Sequence, residues 1–289
     1  MDKKATNKQC FLFLSITFLF TWLCWLGLLT SGLDPADPES SRHPAMLLWP
    51  LGQFGPFIAV LVLAAAGLRT GGVKNRLLSC RWRPTFRFPA WYLTLLLPVL
   101  WICPAWFYAS WSLTAEGAGE APNLASALPA LLSATVFAFG EEAGWRGFLL
   151  PRLLGYRNRL VSSVMIGMVW FVWHLPILYL TSYETPLRFA VFLAGYAPTL
   201  VLWSILLTWV FERTGRNIWM PVLLHGAFTA TYNLAAPYLA GEGTAPSLLS
   251  LVSALLLAGT VVLCDKPFWT NPVPAERQRF TDGAERATI

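Results

Sequence analysis

Glu141 and Glu142 directly follow the apolar run Ala134–Phe139, and Arg146 follows one turn later. On a helix, Glu142 and Arg146 are four residues apart with the acid N-terminal, which is the favourable order for an ion pair. Glu141 is turned about 100° away and has no partner at helical spacing. One carboxylate is thus neutralised locally while its neighbour stays available, as a general base or a metal ligand must be. A plainer reading stands beside this one, in which both acids cap an interface and reach water.

Of the three histidines, two lie in apolar segments, His174 two residues before Pro176 and His225 four after Pro221, while His43 falls in a predicted outer loop. A single histidine in such a segment is more often a hydrogen-bonded packing residue. Two of them together with an unpaired glutamate point to a shared site, because each ionisable group at membrane depth costs about 2.5–3.5 kcal/mol on insertion scales. Proline frees backbone groups that are tolerated at depth where they face protein or a wet cavity. Thr229 and Asn233 follow His225 by one and two turns, close to one face. They suit hydrogen bonding to a developing oxyanion or bridging between helices, and both readings stay open. Trp170, Phe171 and Trp173 surround His174 as packing or an interfacial belt, with restriction of a pocket as an added role.

The elements that must position these groups are membrane helices. A chain of 289 residues that is 56% hydrophobic and 12% charged, with a mean hydropathy of +0.53, cannot hide its apolar surface in a soluble core. A span needs about 20 mostly apolar residues. Eight segments fit: Phe11–Leu29, Ala45–Leu68, Ala90–Leu113, Leu124–Phe139 with an extension, Leu160–Leu180, Phe189–Phe211, Ile218–Tyr238 and Ser247–Cys264. With the N-terminus in the cytosol, all but Arg42 and Arg188 of the 21 Lys and Arg residues fall on the inner side. The outer loops carry Asp34, Asp37, Glu39, Glu116, Glu120, Glu184 and Glu242. The net charge of +6 is therefore a topology signal and calls for no nucleic acid. Glu141 lies roughly 26 Å along a helix starting at Leu124, in the inner leaflet.

The expected organisation is all-α: a cytosolic N-terminus over 1–9, one membrane domain over 10–266 with its motif core at 124–238, and a flexible cytosolic tail over 267–289. The first span follows basic residues, as a signal peptide would, but lacks a small-x-small cleavage site and reads as a retained helix. The segment Arg69–Phe88 interleaves arginines with Trp82, Phe86 and Phe88, which suits a positive inner loop or a membrane-surface segment. None of Cys10, Cys24, Cys80, Cys103 and Cys264 lies in an outer loop, so no disulfide framework is indicated.

Taken in order, these clusters resemble the CAAX-protease and bacteriocin-processing (Abi) family of intramembrane proteases. Glu141, Glu142 and Arg146 match its Glu-Glu-x-x-x-Arg motif. Trp170 and His174 match an aromatic-x-x-x-His motif, with Trp in place of the more usual Phe. His225 matches the histidine of His-x-x-x-Asn/Asp, but Thr229 stands where Asn or Asp is usual and Asn233 follows one turn later. The resemblance implies an eight-helix bundle with a conical cavity open to the cytosol and inner leaflet, in the plasma membrane, acting on a peptide or protein substrate of CAAX-like, prenylated, bacteriocin or signal type.

Two mechanisms are open on this reading. In one, Glu141, His174 and His225 bind Zn²⁺ and leave a position for water. In the other, Glu141 assisted by His174 activates water as general base while His225 and a polar neighbour hold the oxyanion. Glu142, Arg146, Trp170, Thr229 and Asn233 are supporting residues in either. Two rival classes are a non-catalytic immunity or scaffold protein of the same fold, favoured by Thr229, and an ion-coupled transporter, against which stands the lack of repeat symmetry.

Overall fold

The computed structural model describes residues 3–33, 39–66, 80, 89–112, 124–180, 185–239 and 245–271, and among these it contains helices and turns and no strand. The first helix, α1 (Lys3–Thr30), shows the inverted pattern of a lipid-facing element. Thr6, Cys10, Phe13, Thr17, Thr21, Trp25 and Leu28 are buried at spacings of three and four, whereas Phe11, Leu19, Leu23 and Leu26 are exposed on the other side. Polar threonines thus face protein and leucines face outward, as expected where the surroundings are as apolar as the core.

Against α1 pack α2 (Leu48–Gln53) and α3 (Gly55–Ala65), two halves bent by 70° at their junction. The break lies where the chain meets α1 most closely. A Cβ on Gly55 would stand 1.9 Å from Thr21 Oγ1, and one on Gly52 would stand 2.1 Å from Trp25 Nε1. The close approach lets α1 cap the broken helix from the side. Thr21 Oγ1 donates to the Gly52 carbonyl at 2.9 Å and Trp25 Nε1 to that of Trp49 at 3.2 Å, so carbonyls beside the bend gain side-chain partners at depth.

The remaining helices are α4 (Leu97–Ser112), α5 (Leu124–Gly144), α6 (Leu150–Leu153), α7 (Arg159–Leu180), α8 (Pro186–Arg213), α9 (Trp219–Leu239), α10 (Ala245–Cys264) and α11 (Lys266–Thr270). Between α5 and α6 the chain makes a π-turn over Trp145–Leu149, and every residue from 140 to 154 is buried. Such turns occur mostly as single insertions near functional sites. Helix α5 packs on α9 and α3, α7 on α8 and α1, and α9 also on α4 and α8.

All eight expected spans overlap helical segments among the described residues. Among the described residues, four helices are long and apolar enough to cross a membrane, and a fifth span results if the bent pair Pro44–Gln53 and Gly55–Ala65 is taken as one. Among those that do not qualify are α5 and α9, which hold Glu141, Glu142 and His225. Polar groups that serve a site lower the hydropathy of the helix that carries them. The basic segment Arg69–Phe88 lies outside the described residues apart from Cys80. The start of the expected tail is helical, with Phe268 and Trp269 of α11 buried. Arg159 Nη1 donates to the Phe268 carbonyl at 2.9 Å, and its guanidinium and that of Arg213 lie 4.5 and 4.6 Å from the Phe268 ring. A neighbouring buried carboxylate, Glu212, is met by Arg216 Nε at 2.6 Å and by Arg159 Nε at 3.4 Å.

The crossing of α5 and α9 brings the two site-bearing helices together, and Gly226 makes it close. A Cβ there would lie 2.8 Å from the Thr135 Cα and 3.0 Å from its backbone nitrogen. Backbone atoms cannot turn aside, so Gly226→Ala is expected to lower stability by about 1–3 kcal/mol through overpacking. A thermal melt in detergent checks this; an unchanged midpoint would contradict the close crossing.

Candidate active site

The ion pair expected from spacing is present. Arg146 Nη1 donates to Glu142 Oε1 at 2.8 Å, with both side chains fully buried. The same oxygen has a second partner, His225 Nδ1 at 3.0 Å, which comes from α9 across 83 positions of sequence. Beside a carboxylate Nδ1 carries the proton, so Nε2 is the nitrogen left to face other groups.

Glu141 has a different partner. Trp170 Nε1 donates to Glu141 Oε2 at 2.6 Å, which fixes the carboxylate from α7, and the Trp145 side chain lies within its hydrogen-bonding surroundings. One turn along α7, His174 Nδ1 donates to the Trp170 carbonyl at 2.8 Å, again leaving Nε2 free. The Trp170 ring lies 5.0 Å from the His225 ring and 5.7 Å from that of His174, and the Arg146 guanidinium carbon is 5.6 Å from its centroid. A single indole therefore touches the surroundings of Glu141, Arg146, His174 and His225. Glu141 and His225 are each only 4% exposed, whereas His174 is half-buried. The His174 ring is flanked by Trp173 at 4.6 Å, Tyr196 at 6.0 Å and Trp25 at 6.3 Å.

The structure thus gathers Glu141, Glu142, Arg146, Trp170, His174 and His225. Thr229 is half-buried one turn beyond His225, and Asn233 is exposed on α9. Two successive steps of four residues drift by roughly 80° around a helix, enough to carry Asn233 off the buried face that His225 occupies.

The donors of Glu141, His174 and His225 suit Zn²⁺ in type, and both histidines anchor Nδ1 in the manner of metal ligands. Their placement does not fit one ion: among the described residues no three His, Cys, Asp or Glu side chains stand close enough together to hold a metal.

Two residues of the arrangement have no signature in sequence. Ser204 Oγ, on α8, accepts from Arg146 Nη2 at 3.1 Å and donates to the Ser163 carbonyl of α7 at 2.8 Å. A serine inside an apolar helix has nothing beside it to mark it as more than a small packing residue.

Residues 123–231 match the family model described as type II CAAX prenyl endopeptidase Rce1-like. That stretch holds every motif residue from Glu141 to Thr229 and ends before Asn233. The chain is also 23% identical over 230 residues to CAAX prenyl protease 2 of Methanococcus maripaludis, an alignment covering 76% of this chain and 82% of that relative. The family resemblance carried by the motifs is borne out by both comparisons.

Proposed function

From its likeness to the type II CAAX prenyl endopeptidases, we propose that this multi-pass membrane protein is an intramembrane endopeptidase with Glu141, His174 and His225 as its catalytic residues. The observation that carries the reading is the position of Trp170, whose indole holds Glu141 while its ring adjoins both histidines. Three chemically active side chains from three helices meet around one residue, with polar atoms spared by their anchoring bonds.

In this reading Glu141 takes a proton from water as the water oxygen bonds to the scissile carbonyl carbon. His225 is anchored by Nδ1–H to Glu142 and, when protonated at Nε2, donates to the oxyanion. Thr229 is the polar neighbour available beside it. His174, whose Nε2 is free, orients the water. The proton held by Glu141 then passes to the leaving amine as the C–N bond breaks, giving a carboxylic acid and an amine. Because the donors do not converge on one point, no step is assigned to a metal. The substrate is a membrane-associated peptide or protein of CAAX-like, prenylated or signal-type chemistry. Half-buried His174 among Trp25, Trp173 and Tyr196 gives an apolar approach for such a chain. In the same reading both termini lie in the cytosol and the site faces the inner leaflet, which the inner-side bias of Lys and Arg supports.

Purified protein in liposomes is expected to cleave a prenylated C-terminal reporter peptide, and to do so in the presence of a strong chelator. Activity lost to the chelator and restored by Zn²⁺ would replace the glutamate-base mechanism with the metal one. Thr229 in place of the family's Asn or Asp favours the non-catalytic alternative. That reading predicts binding of the same peptides without cleavage.

A further inference from the structure

Glu142 and Arg146 do not end the network behind His225. Arg146 directs Nη1 at Glu142 and Nη2 at Ser204, where the hydroxyl lies at 3.1 Å and the backbone carbonyl at 3.4 Å. The Ser204 hydroxyl donates its own proton to the Ser163 carbonyl at 2.8 Å, so its lone pairs must face the guanidinium. Ser204, Arg146 and Glu142 are all 0% exposed, so water cannot replace a lost partner. A guanidinium is a rigid planar fork, and fixing one nitrogen fixes the direction of the other.

We infer that Ser204 is a positioning residue for His225, acting through Arg146 and Glu142 to hold the imidazole with its proton on Nδ1 and Nε2 toward the reacting groups. The chain runs from the Ser163 carbonyl through Ser204, Arg146 and Glu142 to His225, and ties α7, α8, α5 and α9 together. Without the hydroxyl, the guanidinium keeps only the longer bond to the Ser204 carbonyl and is free to swing. Glu142 then loses its fixed direction, and the imidazole is free to put its proton on either nitrogen. Groups that orient metal-bound histidines are worth about 10–100-fold in activity, and an effect of that order is expected for a chain that orients a reacting imidazole.

The inference rests on the proposed role of His225, so the test has one readout that needs no activity. The full chain carrying Ser204→Ala, in detergent micelles with ¹⁵N-labelled histidine, is compared with the unaltered protein for the tautomer of His225 and for cleavage kinetics. The expected result is a mixed tautomer, with kcat lower by about tenfold or more and KM unchanged. Ser204→Thr, which keeps the hydroxyl, is expected to restore the Nδ1–H form and most of kcat. An unchanged tautomer and kcat in folded Ser204→Ala would overturn the inference. Should that variant fold poorly, Ser204→Cys, which offers only a weak donor and acceptor of similar volume, decides it: a mixed tautomer supports the relay and an unaltered one refutes it. A mixed tautomer in a protein whose His225→Ala variant still cleaves would uphold the relay while removing His225 from the reaction.

Discussion

Glu141→Gln is expected to reduce cleavage nearly to background while leaving folded yield close to that of the unaltered protein. The amide keeps the shape of the carboxylate, and its oxygen can still accept from Trp170 Nε1. What it cannot do is take a proton from water. His174→Ala and His225→Ala should each have a comparable effect. Each removes the Nε2 that remains after Nδ1 is anchored, to the Trp170 carbonyl in one case and to Glu142 in the other. Residues acting as a unit lose function together, since the first removal already disables the step that the others serve. A Glu141→Gln protein that folds and cleaves at an undiminished rate would remove the general base from the account.

Arg146→Ala is expected to damage the fold as well as the activity. Glu142 is fully buried, and among the described residues its cationic partner is Arg146, with His225 as a further hydrogen-bond partner. Removing one member of a buried pair leaves an uncompensated charge at a typical cost of about 3–5 kcal/mol, a large share of the stability of most proteins. Folded yield in detergent should fall steeply. The double variant Glu142→Gln with Arg146→Met removes both charges and should recover much of the yield, because a buried pair replaced by neutral groups is often tolerated. It should not recover cleavage, since His225 has then lost its carboxylate. Full yield and full activity in Arg146→Ala alone would refute the pairing.

The parts of this site that were legible in the sequence are those governed by local spacing. The i, i+4 spacing of Glu142 and Arg146 specifies a helix-face pair, and the pair is there. The setting of Glu141, His174 and His225 in apolar segments marked them because ionisable groups are costly at depth. Partners that arrive from other helices left no local trace. His225 meets Glu142 rather than Glu141, so the residue that spacing alone assigned to Arg146 also anchors a histidine. Glu141, unpaired along its own helix, is held by an indole 29 positions away. Ser204 was invisible for the same reason. Asn233, two turns beyond His225, lies on the exposed side of α9 because the helix face drifts over that distance.

The fold shows the same division. Apolar length located every expected helical segment, although among the described residues α5 and α9 are less apolar than the longest of them. Hydropathy rewards a helix for facing lipid on all sides, whereas α5 and α9 turn polar residues toward one another. The bend between α2 and α3 depends on what α1 presents to it, Thr21 and Trp25 at two glycines, and composition does not record that. Phe268 and Trp269 are buried despite lying past the last predicted span, because Arg159 and Arg213 offer guanidinium faces to an aromatic ring.

The most direct test of a shared Glu141–His174–His225 site is a comparison of cleavage rates for the three single variants with those of the Glu141→Gln/His174→Ala and Glu141→Gln/His225→Ala double variants, all in liposomes and normalised to folded protein. The account predicts near-background rates for every single variant and doubles scarcely worse than the singles. Losses that multiply from single to double, or full cleavage by any one single variant, would contradict it.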